Sequence, residues 1–213
     1  MDSEYVNITR DPFDPWEYIQ YQLTSNSDLQ RWWDERYEPE MGQLVDGLKR
    51  SRMLGRLAFY AATGPISDAI THVMTDAVRL LPDFLPQGVV GGGGRLKVHV
   101  VASSCGGTGS SGLLEVVYRV WAAARDLNLT PEIRVYVYLP GAFELGVSKG
   151  QAPGMELMAH KANAFAFFRE LDHFVSHGDE LEDAIVGPEA REIGVNIPRN
   201  GLLKQVFPVD GAV

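Results

Sequence analysis

The hydrophobic pattern alternates short apolar runs with longer stripes at helical spacing. Val98 to Ala102 is an apolar run rich in β-branched residues. Such a run predicts a strand buried on both faces, as in a parallel sheet. It breaks into Ser103-Ser104-Cys105-Gly106-Gly107-Thr108-Gly109-Ser110-Ser111-Gly112 and resumes with Leu113, Leu114, Val116, Val117, Val120, Trp121 and Ala124. That spacing predicts a helix with one apolar face. The central unit is therefore strand, glycine-rich turn, helix.

Upstream, Thr63-Gly64-Pro65 starts a helix, with Pro65 at its first position. Its stripe is Ile66, Ala69, Ile70, Val73, Met74, Ala77, Leu80 and Leu81, and Leu81-Pro82 ends it. Downstream, Glu132 to Tyr138 reads as a second strand. Met155 to Ser176 reads as a helix burying Met158, Ala162, Phe165, Ala166, Leu171 and Phe174. Leu202 to Val209 reads as a last strand, kept to an edge by Pro208. Before residue 50, Pro15 opens a short helix through Gln22, and Leu29 to Tyr37 forms a second helix anchored by Trp32 and Trp33. These elements predict an α/β fold, a mainly parallel sheet flanked by helices. Residues 1–46 form a helical or irregular segment and residues 47–213 the sheet-bearing domain.

The glycine-rich turn suits an anion. The first amides of a helix have no partner inside it, and the helix dipole adds partial positive charge there. Glycines admit close approach, while Thr108, Ser110 and Ser111 add hydroxyls. The competing reading is a tight turn whose hydroxyls only cap the helix. A Walker A loop is excluded, because no Lys-Ser or Lys-Thr follows the glycines. Gly107 to Gly112 spells G-x-G-x-x-G, but the next strand ends in Leu139-Pro140-Gly141 without the acid that holds a ribose in dinucleotide folds.

Composition narrows the partners. The 213 residues carry a net charge of -9, which argues against nucleic acid or an anionic membrane as partner. A single cysteine, Cys105, excludes an internal disulfide and fits a reducing, cytoplasmic setting. No apolar run reaches the roughly 18 residues of a membrane span. Against this acidic background, Lys49, Arg50, Arg52 and Arg56 form the densest basic patch. His173 and His177 have ligand spacing without further ligands, and a solvated helix end explains them; no metal site is expected. Cys105 lies at a helix start but has no histidine partner, so it reads as a packing residue.

The string Gly106-Gly107-Thr108-Gly109-Ser110-Ser111 resembles the GGTGSG signature loop of the tubulin/FtsZ superfamily of GTPases. Ser51-Arg52-Met53-Leu54-Gly55-Arg56-Leu57-Ala58 resembles the R-x-LGR-LA segment of bacterial tubulin-like domain proteins. Asn163-Ala164-Phe165-Ala166-Phe167-Phe168-Arg169-Glu170-Leu171 resembles their N-A-x-A-x-x-x-E-L segment. The three matches follow the family's order over more than half of the chain. One departure is Ser111, where the signature has its last glycine; a left-handed backbone there would cost about 1 kcal/mol or more.

The resemblance implies a partial tubulin-like, Rossmann-like nucleotide-binding domain. It implies GTP as ligand, with Mg²⁺, and Gly106, Gly107, Thr108, Gly109, Ser110 and Ser111 around the outer phosphates. Arg52 and Arg56 would meet the terminal phosphate, a contact suited to the guanidinium fork; a solvated basic face is the alternative. Asn163 would read the guanine edge or make a structural hydrogen bond, and Glu144 would meet the ribose or remain a loop acid. The family's first strand and first glycine-rich loop have no counterpart before residue 50, and its C-terminal domain has none after residue 209. The chain by itself is therefore expected to supply no catalytic residue for hydrolysis. Its partners would be a guanine nucleotide and a self-association or larger polymer assembly. The alternative is an assembly module of the same fold with a dead nucleotide site.

Overall fold

A computed structural model describes residues 6, 8, 14–25, 27–34, 36, 51–84, 95–143, 153–176 and 205–210. The order of elements is α1 (Pro15–Leu23), α2 (Ser27–Trp32), α3 (Arg52–Ala61), α4 (Thr63–Phe84), β1 (Arg95–Ser103), α5 (Gly107–Asp126), β2 (Thr130–Tyr138), α6 (Pro153–Ser176) and β3 (Gln205–Val209). The described strands form a three-stranded sheet in the order β1-β2-β3, parallel throughout. Helices flank it, so the α/β expectation holds.

Strand β1 differs from its prediction. Among the described residues it has a partner on one side only, β2, in register from Arg95↔Thr130 to Ser103↔Tyr138. Its side chains alternate, and Val101 is 62% exposed. The run expected to be buried on both faces is thus half-covered among the described residues, where α5 packs on one of its faces. The central strand is β2, whose alternate residues Ile133, Val135 and Val137 are buried with Leu113, Leu114, Val117, Val120 and Phe167 in the main core. On the opposite face His99, Tyr136 and Phe207 stack across the three strands, with centroids 5.6 Å and 5.0 Å apart.

The helices follow local rules at their ends. Asp14 caps α1 by accepting from the amides of Trp16 and Glu17, with Pro15 in the first turn. Ser51 caps α3 through the amide of Leu54 at 3.3 Å. Helix α5 ends on Asn128, whose φ of 54° is the left-handed turn that closes a helix. Helix α2 ends at Trp32, short of the predicted Tyr37. A second core joins α1, α2 and α3 through Ile19, Leu29, Trp33, Leu54, Leu57 and Ala58.

Two helical faces depart from their predictions. In α4, Ile66 and Met74 are buried, but Val73 and Leu80 are exposed, and the helix runs past Pro82 to Phe84. In α6, Ala164, Phe167 and Leu171 are buried, whereas Met158 is 72% and Phe165 70% exposed. The buried face is turned relative to the predicted one. Glu144, His177, Lys49 and Arg50, singled out in the sequence, lie outside the described residues.

Candidate functional site: the start of helix α5

The site is built on the crossover from β1 to α5. Ser104 ends β1 by donating its amide and its hydroxyl to the carbonyl of Tyr138, both at 3.0 Å. The amide of Cys105 donates to the Ser103 hydroxyl at 3.1 Å. Gly106 is the N-cap, extended at φ −90° and ψ 166°, and carries no side-chain cap. The first intrahelical bond runs from the Ser110 amide to the Gly106 carbonyl. The amides from Gly106 to Gly109 therefore precede the helical ladder, which is the arrangement that binds anions.

The glycines of the loop have unequal reasons. A Cβ on Gly106 would meet nothing within 4 Å, so the helix start is open on that side. A Cβ on Gly109 would lie 2.5 Å from the Ser103 carbonyl oxygen and 2.7 Å from its amide nitrogen. Gly109 lets α5 touch the end of β1. Gly112 makes room for the Phe59 ring, which a Cβ would meet at 2.7 Å and closer. Ser111 lies in the first turns of α5, and among the described non-glycine residues only Asn128 has positive φ. The departure from the signature therefore carries no backbone strain.

The hydroxyls are turned back into the helix. Ser110 Oγ donates to the Gly106 carbonyl and Ser111 Oγ to the Gly107 carbonyl. Thr108 is exposed at the first turn.

The three separate sequence segments meet here. The predicted phosphate-sensing segment is helix α3, packed across the first turns of α5. Arg52 Nη2 donates to the Ser110 carbonyl at 2.9 Å and to Glu170 Oε2 at 2.5 Å. Arg56 lies with its guanidinium 4.8 Å from the Trp32 ring centroid, a cation–π contact. Burial lowers the Arg56 pKa; the nearby carboxylates of Glu170 and Glu115 oppose that shift, and Arg52 adds to it. Asn163 Nδ2 donates to the Cys105 carbonyl at 2.8 Å. Arg52 and Asn163 thus touch the loop backbone itself, while Arg56 lies against Trp32.

Sequence reasoning missed Glu170 and Gly55. A Cβ on Gly55 would meet the Gly107 carbonyl carbon at 2.8 Å, and its oxygen more closely still. A glycine inside an otherwise good helix is the signal that could have marked this close approach. Glu170 carried no signal apart from its place in the downstream motif. Behind the site, Arg119 and Glu115 form a buried pair on α5, with Arg119 Nε to Glu115 Oε1 at 2.8 Å. The Thr63 hydroxyl at 3.2 Å and the Ser67 hydroxyl join Arg119 from α4. Among the described residues no group of three or more His, Cys, Asp or Glu side chains could hold a metal ion. No helix among them is long and apolar enough to cross a membrane.

Comparison with known proteins yields one family. A family model described as "Tubulin like" matches residues 14–209. No curated protein and no solved structure matches the chain.

Proposed function

The chain belongs to the tubulin-like family, and on that footing we propose that it binds a guanine nucleotide at the start of α5. The carrying observation is the uncapped, open N-terminus of that helix at Gly106. Four backbone amides and the helix dipole would receive the outer phosphates. Gly106, Gly107, Thr108 and Gly109 form the cradle, and Ser110 and Ser111 stiffen it. Arg52 and Arg56 add positive charge from α3, in a chain whose net charge is -9. Mg²⁺ keeps most of its waters and binds largely through phosphate oxygens, so it would arrive with the nucleotide. Assembly of copies into a polymer is the use that family membership suggests for nucleotide binding.

A second reading is an assembly module whose nucleotide site is dead. The observation that favours it is that Arg52, Asn163, Ser110 and Ser111 each make a hydrogen bond within the protein.

Gly106→Asp separates the two readings. Its Cβ enters open space, and aspartate is a favoured N-cap. The variant should melt no lower than the parent. Its carboxylate would occupy the anion position. Calorimetric titration with GTP, with ATP as control, should give GTP-selective heat for the parent and none for the variant. Equal GTP binding by both would remove the loop from the proposal; no binding by the parent would favour the assembly module.

A further inference from the structure

We infer that α6 is the brace of the phosphate loop, with Asn163, and Glu170 acting through Arg52, as positioning residues that need not touch the nucleotide. The inference rests on the nucleotide reading proposed above and changes the part played by Arg52 and Asn163 within it.

Asn163 and Glu170 lie two turns apart on α6, and so on one face. Asn163 holds the Cys105 carbonyl at 2.8 Å, just before the N-cap. Glu170 holds Arg52 at 2.5 Å, and Arg52 holds the Ser110 carbonyl at 2.9 Å, at the far end of the loop. One helix thus reaches both ends of the Cys105–Ser110 segment. Between those ends, the Ser110 and Ser111 hydroxyls occupy the Gly106 and Gly107 carbonyls.

The chemistry follows from the peptide plane. In a trans peptide the carbonyl of one residue and the N–H of the next point in opposite directions. Fixing the Cys105 carbonyl on Asn163 therefore fixes the direction of the Gly106 N–H. An anion site made of backbone amides fails if a peptide flips, because a carbonyl then faces the phosphate. The brace holds the carbonyls on the protein side. Arg52 carries this out through one nitrogen: its Nη2 donates both to the Ser110 carbonyl and to Glu170, which partly balances its charge. Asn163, which the family resemblance assigns to guanine, has its amide nitrogen directed at the loop.

The test uses the full chain. Amide hydrogen exchange is followed without nucleotide at Ser104, Cys105 and Ser110, the loop amides that are hydrogen-bonded, and GTP, ATP, tripolyphosphate and guanosine are titrated calorimetrically. In Asn163→Ala and Glu170→Gln the loop amides should exchange faster while those of β2 keep the parent rate. GTP and tripolyphosphate affinities should fall by one common factor, about five- to tenfold, the worth of one hydrogen bond. The preference for GTP over ATP should not change. Arg52→Lys keeps the charge but loses the planar guanidinium that places Nη2 between Ser110 and Glu170, and should behave like Glu170→Gln. Loss of the GTP preference in Asn163→Ala, with tripolyphosphate bound as before, would make Asn163 a base reader and overturn the inference. Unchanged loop exchange in Asn163→Ala and Glu170→Gln would also overturn it. If Asn163→Ala fails to fold, Glu170→Gln decides, since Glu170 is about half exposed. A parent that binds none of the probes would defeat the nucleotide reading, while the exchange rates still decide whether the brace exists.

Discussion

Gly55 of α3 and Gly107 of α5 meet backbone to backbone: a Cβ on Gly55 would lie 2.8 Å from the Gly107 carbonyl carbon. Neither neighbour can give way by rotating a side chain. Gly55→Ala should push α3 off the start of α5 and destabilise by about 1–3 kcal/mol, the usual cost of overpacking. Gly64, in the first turn of α4, is the contrast, since a Cβ there meets nothing within 4 Å. Gly64→Ala should be neutral or stabilise by up to about 1 kcal/mol. Thermal melts of the two variants check the pair; equal effects would refute the contact.

The loop glycines should respond unequally. Gly109→Ala drives a methyl against the Ser103 backbone. It should lower the melting temperature whether or not nucleotide is present. Gly106→Ala meets open space and should lower it little. Melting curves without ligand separate the packing glycine from the open one.

Glu115 and Arg119 are both buried, and breaking such a pair leaves an uncompensated charge. Glu115→Leu alone should cost about 3–5 kcal/mol. Replacing both, as Glu115→Leu with Arg119→Met, should recover much of that loss. A double-mutant cycle by urea unfolding reads the difference; an additive cycle would show that the ion pair is not coupled.

Asp34 lies at the surface, with Arg36 Nε at 2.8 Å from its Oδ1. Hydrogen bonds from the Arg36 side chain, then from its amide, hold the Asp34 carboxyl below its ordinary pKa. The sign follows: any stabilisation is present above the unfolded carboxyl pKa and is lost as pH falls through the lower, folded value. Because the pair lies at the surface, with Arg36 largely exposed, solvent screening makes the effect on unfolding small. Carbon-detected NMR titration of Asp34, against Arg36→Gln, checks the direction.

Two phenylalanines on α6 should behave oppositely. Phe167 is 1% exposed in the main core, and Phe167→Ala should cost about 3–5 kcal/mol. Phe165 is exposed, and Phe165→Ala should stay within about 0.5 kcal/mol. Reversal of this order in unfolding experiments would return the helix to the phase its sequence pattern suggested.

That last pair marks where the sequence was ambiguous. Met158, Ala162 and Phe165 form one apolar stripe on α6, and Ala164, Phe167, Phe168 and Leu171 form another. Both have helical spacing, so periodicity predicted the helix and left its rotation open. Docking against α5 and β2 chose the second stripe, because that rotation places Phe167 in the core. Strand β1 raised a similar problem. Its β-branched run identified a strand, but neighbours decide whether a strand is central or at an edge, and among the described residues β1 has β2 on one side only.

The sequence by itself determined the order of elements, the strand–turn–helix unit at Cys105–Ser111 and the three segments that carry the family resemblance. These are local patterns: apolar spacing, caps and glycines written into neighbouring positions. Tertiary structure alone decided that Gly109 and Gly55 serve close packing while Gly106 stays open. It alone joined Asn163 to Cys105 and Glu170, through Arg52, to Ser110. These three hydrogen bonds link residues 58 or more positions apart. Their geometry depends on how the helices dock, which no local pattern specifies.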